Sequence, residues 1–174
     1  MSAGTVFIFK FVGTVSVGLL TGLSATLSAV SLPALLSLPT ALTARQTLTD
    51  LSTRSRVFST YLRHITTFSL FSAYLLSPRR FRHPYLLYVS LFTAASGPGV
   101  DYAFSTVGSE ERHGRVLGEV KEGEQRDLEA GPEEVNGEEV GKGLQSMKAR
   151  EGVRAIVAGI GFAMSVVGIW GDGA

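Results

Sequence analysis

From Phe11 to Ala44 the chain carries no charged side chain, a run of 34 residues bounded by Lys10 and Arg45. A helix rises about 1.5 Å per residue, so about 20 apolar residues cross the hydrocarbon core of a bilayer. The run is long enough to cross once, and Pro33 and Pro39 mark the remainder that leads out. A core helix of a small soluble domain is rarely so long or so uniformly apolar. The expected fold class is therefore an all-α membrane protein.

Charge is segregated along the 174 residues, and this hides behind a net charge of only +1. Residues 1–104 hold eight Lys/Arg against two Asp/Glu, whereas residues 105–152 hold seven against twelve. A basic apolar portion is thus followed by an acidic insert. There is no cysteine, which removes disulfides, thiolate metal sites and thiol catalysis from consideration. The N-terminus lacks a basic leader before Lys10, and the apolar run exceeds a signal-peptide core, so a retained span is expected.

About four transmembrane helices are expected, with a flexible acidic loop before the last. The first covers residues 6–30, with Lys10 near enough to its start to snorkel. Residues 40–56 read as a polar connector carrying Arg45, Asp50, Arg54 and Arg56. A second span is expected over 57–76, with Arg63 turned toward an interface or another helix, and a third over 84–100. The basic, proline-flanked turn Ser77 to Pro84 joins these two as a hairpin. Residues 105–152, rich in Glu and Gly and poor in apolar side chains, cannot bury a core and read as a flexible loop. The last span falls in 153–174, where 17 uncharged residues end at Trp170 and Gly171. Segments three and four would be only about 25 Å long as helices, which suits a thin intracellular membrane.

Small residues recur at helical spacing in the first span (Thr14, Gly18, Gly22, Ala25, Ala29) and the last (Ala158, Gly161, Ser165, Gly168). Such faces let backbones approach where lipid removes the hydrophobic drive for association. Gly18, Gly22, Ala25, Gly161, Ser165 and Gly168 are therefore the expected helix-packing positions, first within the chain and otherwise between copies. The cluster Arg79, Arg80 and Arg82 beside Tyr85 and Tyr88 reads as a topogenic boundary that could also meet anionic headgroups. Phe104 and Val107, with acidic residues following, form an aromatic-x-x-aliphatic pattern of the kind that adds a strand to ubiquitin-like autophagy modifiers. The three histidines are too scattered for a metal site, and no nucleophile elbow, phosphate loop or dinucleotide fingerprint occurs. No enzyme, no cofactor and no nucleic-acid partner are expected; the partner is the bilayer.

The heptapeptide Arg82-His83-Pro84-Tyr85-Leu86-Leu87-Tyr88 and the closing run Val166 to Gly173 resemble a small fungal family, autophagy-related protein 33 and its relatives. The N-terminal run Gly18 to Ala25 is similar too. The resemblance implies a multi-span protein of the mitochondrial outer membrane that supports selective autophagy of mitochondria, with the acidic loop available to autophagy machinery. It carries over no catalytic or ligand-binding residue. The rival expectation is a structural or small transport-type membrane protein with no role in autophagy.

Overall fold

The structure, a computed structural model, describes residues 3–38, 40–77, 82–107 and 137–171. Every element among them is helical: α1 (Ala3–Thr26), a π-helical turn (Leu27–Ser31), α2 (Leu32–Leu36), α3 (Ala41–Leu76), α4 (Tyr85–Ala95), α5 (Pro98–Val107) and α6 (Gly137–Gly171). The arrangement is an antiparallel bundle in which α1, α3, α4 and α6 each pack on the next and α6 returns to α1. One buried cluster joins Leu70 and Ala73 of α3 to Leu86 and Val89 of α4. A second joins Leu20, Leu62 and Ala158 from α1, α3 and α6. A third gathers Leu32, Leu35 and Leu144, with Leu48, Leu51, Val140 and Met147 against them.

Three boundaries differ from expectation, each for a local reason. Pro33 does not end the first helix. Its ring conflicts with the carbonyl four residues earlier, and the wide π turn over Leu27–Ser31 absorbs the conflict. The helical path therefore runs from Gly4 to Leu36. The polar connector expected over 40–56 is helix, the first part of the 36-residue α3. Between Ala41 and Ser77 there is neither Gly nor Pro to stop it. The acidic loop expected over 105–152 is helical at both ends. Residues 105–107 close α5, and α6 begins at Gly137, so residues 137–152 are its opening turns. Residues 108–136 lie outside the described set.

The expected span 84–100 is broken at Ser96 and Gly97, and Pro98 starts α5. Between α3 and α4, Ser77 leaves helical geometry (φ −69°, ψ 132°), as a residue before proline is pushed to do. Its amide and hydroxyl both bond the Ala73 carbonyl, at 3.1 and 2.8 Å.

Two helical paths are long and apolar enough to cross a membrane: Gly4–Leu36 and Val140–Gly171, each with mean hydropathy 1.9 over its best window. Only 22% and 17% of those windows is buried within the protein, so neither is a sequestered core helix. α3 is diluted by its polar first half, and α4 has 11 residues, about 16 Å.

Candidate functional site: a small-residue seam and a charged cluster

α1 and α6 meet along an antiparallel seam. The hydroxyls of Thr14 and Ser165 hydrogen-bond to each other, and Ser165 is fully buried. A Cβ on Gly18 would stand 2.9 Å from the Phe162 ring, and one on Gly159 would touch Thr21 at 3.4 Å. Further along, the Ser28 hydroxyl donates to the Lys148 carbonyl at 3.1 Å. Of the expected packing residues, Gly18 and Ser165 therefore face each other's helices. Gly22 has nothing near its missing Cβ, and Ala25 is exposed. Gly161 and Gly168 turn instead to α4. A Cβ on Gly161 would meet Phe92 at 3.6 Å, and on Gly168 it would strike the Tyr85 ring at 2.5 Å.

The face of α1 that is buried runs through Gly13, Ser16, Val17, Leu20 and Ser24 and continues to Leu27 of the π turn. It lies beside the small stripe rather than on it. Gly13 admits Leu70 of α3, whose side chain would lie 2.5 Å from a Cβ there. Because α1 is apolar nearly all round, its sequence pattern does not distinguish these neighbouring faces.

The hairpin heptapeptide forms the corner between α3 and α4. Arg82 lies over the Tyr74 ring at 5.0 Å and donates to the Leu75 carbonyl at 3.2 Å. Pro84 precedes the first turn of α4, and the His83 and Tyr85 rings lie 6.1 Å apart. Lys10 of α1 lies over Tyr85 at 5.8 Å. Leu86 is fully buried, whereas Leu87 and Tyr88 look outward. Arg79 and Arg80 lie outside the described residues.

At the other end of the bundle sits a charged cluster that the sequence does not announce. Arg154 of α6 bonds Asp101 of α5 at 2.6 Å and also pairs with Glu151 one turn back. Glu151 is only 3% exposed, which makes this an interior ion pair. Asp101 stands in the first turn of α5, where the helix dipole favours a carboxylate. Arg63 of α3 presses its guanidinium against Gly97, where any Cβ would collide with it. Gly97 at the α4–α5 break is thus required by close approach. Arg150 lies over the Phe104 ring at 5.8 Å. Phe104 and Val107, expected to extend, are in α5; a helix has no free edge to add to a sheet. Arg63 is expected from the sequence to face an interface or another helix. Its neighbours Asp101, Glu151 and Arg154 lie far away in sequence, and only folding reveals them.

Hydroxyls line the interior. Ser69, Ser90, Ser96, Thr66 and Thr93 are all buried. Several satisfy themselves on their own helix, as Ser90 does on Leu87 and Ser96 on Thr93, at 2.8 and 2.7 Å. Among the described residues no three His, Cys, Asp or Glu side chains gather as a metal site would need.

The profile of the family described as Autophagy-related protein 33 matches residues 1–115. Autophagy-related protein 33 of Gibberella zeae is 35% identical over 190 aligned positions, covering 98% of this chain and 93% of that one. The chain belongs to the autophagy-related protein 33 family. No solved structure matches it. The matched region takes in α1 to α5, hence the hairpin corner, Arg63 and Asp101, while Glu151 and Arg154 are reached only by the alignment to the relative.

Proposed function

We propose that this member of the autophagy-related protein 33 family is a non-enzymatic, multi-pass protein of the mitochondrial outer membrane that supports selective autophagy of mitochondria. One observation carries the membrane part. On α3 the outward residues change from Thr47, Asp50, Thr53, Arg54 and Arg56 to Val57, Phe58, Tyr61, Ile65, Phe68, Phe71 and Leu75. On α6 they change from Lys142, Gln145 and Lys148 to Val153, Ile156, Ile160, Val166, Val167 and Trp170. Both helices invert at the same end of the bundle, that of the charged cluster. Apolar exteriors on this scale, over an interior holding hydroxyls and glycines, suit lipid better than water.

In this reading four segments cross: α1, the second half of α3, α4 with its broken end, and the second half of α6. Arg63 and Arg154 bound one side, Lys10 and Arg82 the other. The stretch from Arg154 to Trp170 is about 24 Å, fitting a thin bilayer. The polar halves of α3 and α6 and the acidic segment then share one side, and both termini share the other. With the acidic segment in the cytosol it is available to autophagy machinery, and the termini face the intermembrane space.

The test is protease treatment of intact mitochondria carrying the full chain with tags in the acidic segment and at the C-terminus, beside a mitophagy reporter. The segment should be cleaved, the C-terminal tag protected, and mitophagy reduced when the chain is removed. A carbonate-extractable chain, or unchanged mitophagy on its removal, would overturn the proposal.

A further inference from the structure

The apolar interior of the bundle is interrupted at one level. Leu70, Ala73, Leu86 and Val89 form one buried cluster, and Leu20, Leu62 and Ala158 form another. Between them lie Val17 of α1, Thr66 of α3, Thr93 of α4 and Gly161 of α6, all buried. Register puts the two threonines at one height. α3 and α4 run antiparallel, with Arg63 against Gly97 on one side of this level and Leu70 clustered with Val89 on the other. Thr66 and Thr93 fall between those pairs, on the same two inward stripes. α6 closes the layer, because the Thr93 hydroxyl lies 3.9 Å from where a Cβ on Gly161 would stand. Both threonines are fully buried, and neither hydroxyl has a hydrogen-bond partner among the described residues. Their neighbours differ. Thr21 bonds the Val17 carbonyl at 2.8 Å, Ser90 that of Leu87 at 2.8 Å and Ser96 that of Thr93 at 2.7 Å. A sealed hydroxyl without a partner is costly, most of all in a bundle wrapped in lipid.

We infer that Thr66 and Thr93 bind one internal water, seated against Gly161 and bridging α3 to α4. Size and chemistry select water. The layer is buried and carries no charged side chain, so it suits neither an ion nor a larger solute. Each hydroxyl can both donate and accept, and a buried water takes two to four such partners. Gly161 supplies the room. At Gly13 and Gly168 a neighbouring side chain, Leu70 or Tyr85, occupies the place of the missing Cβ at 2.5 Å, whereas the nearest atoms at Gly161 stand 3.6–3.9 Å away. The water joins α3 to α4 as the Thr14–Ser165 pair joins α1 to α6. The site goes beyond the membrane reading and does not depend on it, because the helices themselves seal the layer. In that reading it lies about 12 Å beneath the level of Val153, near the middle of the bilayer.

The test is a series of thermal melts on the full chain in detergent, built on near-isosteric exchanges. Thr66→Val and Thr93→Val should each lower the melting temperature by about 2–4 °C, because each strands the water and the other hydroxyl. The double variant should melt no lower than either single one, since the water and both its partners leave together. Gly161→Ala then separates water from the alternatives by sign. Its Cβ would meet nothing closer than 3.6 Å, so without a water the gain in helix propensity should raise the melting temperature. With the water in place the methyl group displaces it and the melting temperature should fall. In the Thr66→Val/Thr93→Val background the same exchange should raise it. Threonine losses that simply add, or no loss at all, would put each hydroxyl on its own helix and overturn the site. Gly161→Ala neutral or stabilising in the otherwise intact chain would overturn the water in favour of a direct hydroxyl pair. In bilayers of deuterated lipid, solid-state NMR should show water cross-peaks to the Thr66 and Thr93 methyl groups that Gly161→Ala abolishes. Their absence from the intact chain would overturn the site as well.

Discussion

Leu144 and Ser165 are both buried on α6, yet they sit in opposite surroundings. Leu144 lies under an exterior of Lys142, Gln145 and Lys148, packed with Leu32 and Leu35. Ser165 lies under Val166, Val167 and Trp170 and bonds Thr14. α3 repeats the contrast, with Leu48 and Leu51 inside its polar half and Thr66 and Ser69 buried in its apolar half. The first arrangement is held by the hydrophobic effect, which acts only against water. The second sets close backbones and the Thr14–Ser165 hydroxyl pair beside packed side chains such as Leu70 and Leu86, contacts that suit surroundings as apolar as the interior. α2 does not follow the switch: Leu36 and, just before it, Val30 remain exposed among uncharged neighbours. An apolar strip alongside two polar helix faces suits a position along the membrane surface.

Removing a methyl-rich side chain from the polar half should have the largest effect. Leu144→Ala should cost about 2–5 kcal/mol and loosen the N-terminal turns of α6, read by hydrogen exchange over residues 137–150. Next comes charge on the apolar face. Phe68→Asp should cost about 2.5–3.5 kcal/mol of insertion free energy and lower the carbonate-resistant fraction, while Thr47→Asp on the polar face should leave it unchanged. Gly168→Leu should then cost about 1–3 kcal/mol in detergent thermal melts because Tyr85 fills the space, with Gly22→Leu silent as the matched control. The smallest effect belongs to the hydroxyl pair. Ser165→Ala should cost about 0.6 kcal/mol, and a double-mutant cycle with Thr14→Val isolates it. Equal costs for Gly168→Leu and Gly22→Leu would break the contrast between packed and open glycines.

The apolar segments and their levels are legible in the sequence, since charge-free runs depend only on composition. The expected start at Val57 coincides with the point where α3's exterior turns apolar, and Arg154 is where the last charge-free run begins. Helix continuity was less legible. Residues 40–56 look like a connector because they are polar, but polarity decides burial, and only Gly, Pro or a competing cap stops a helix. Which face packs was not legible on α1, where Gly13 and Gly18 are equally small and only the partner side chains Leu70 and Phe162 assign them. The charged cluster was the least legible feature, because Asp101 and Arg154 are brought together from opposite sides of the acidic segment.

Cysteine scanning in native membranes probes the inversion most directly, since the chain has no cysteine of its own. Single cysteines at Thr47, Thr53, Lys142 and Gln145 should react with a membrane-impermeant maleimide added to intact mitochondria. Those at Phe68, Phe71, Ile160 and Val167 should react only after detergent is added. Labelling of the second set at the rate of the first would contradict a bundle that turns its apolar side to lipid beyond Val57 and Val153.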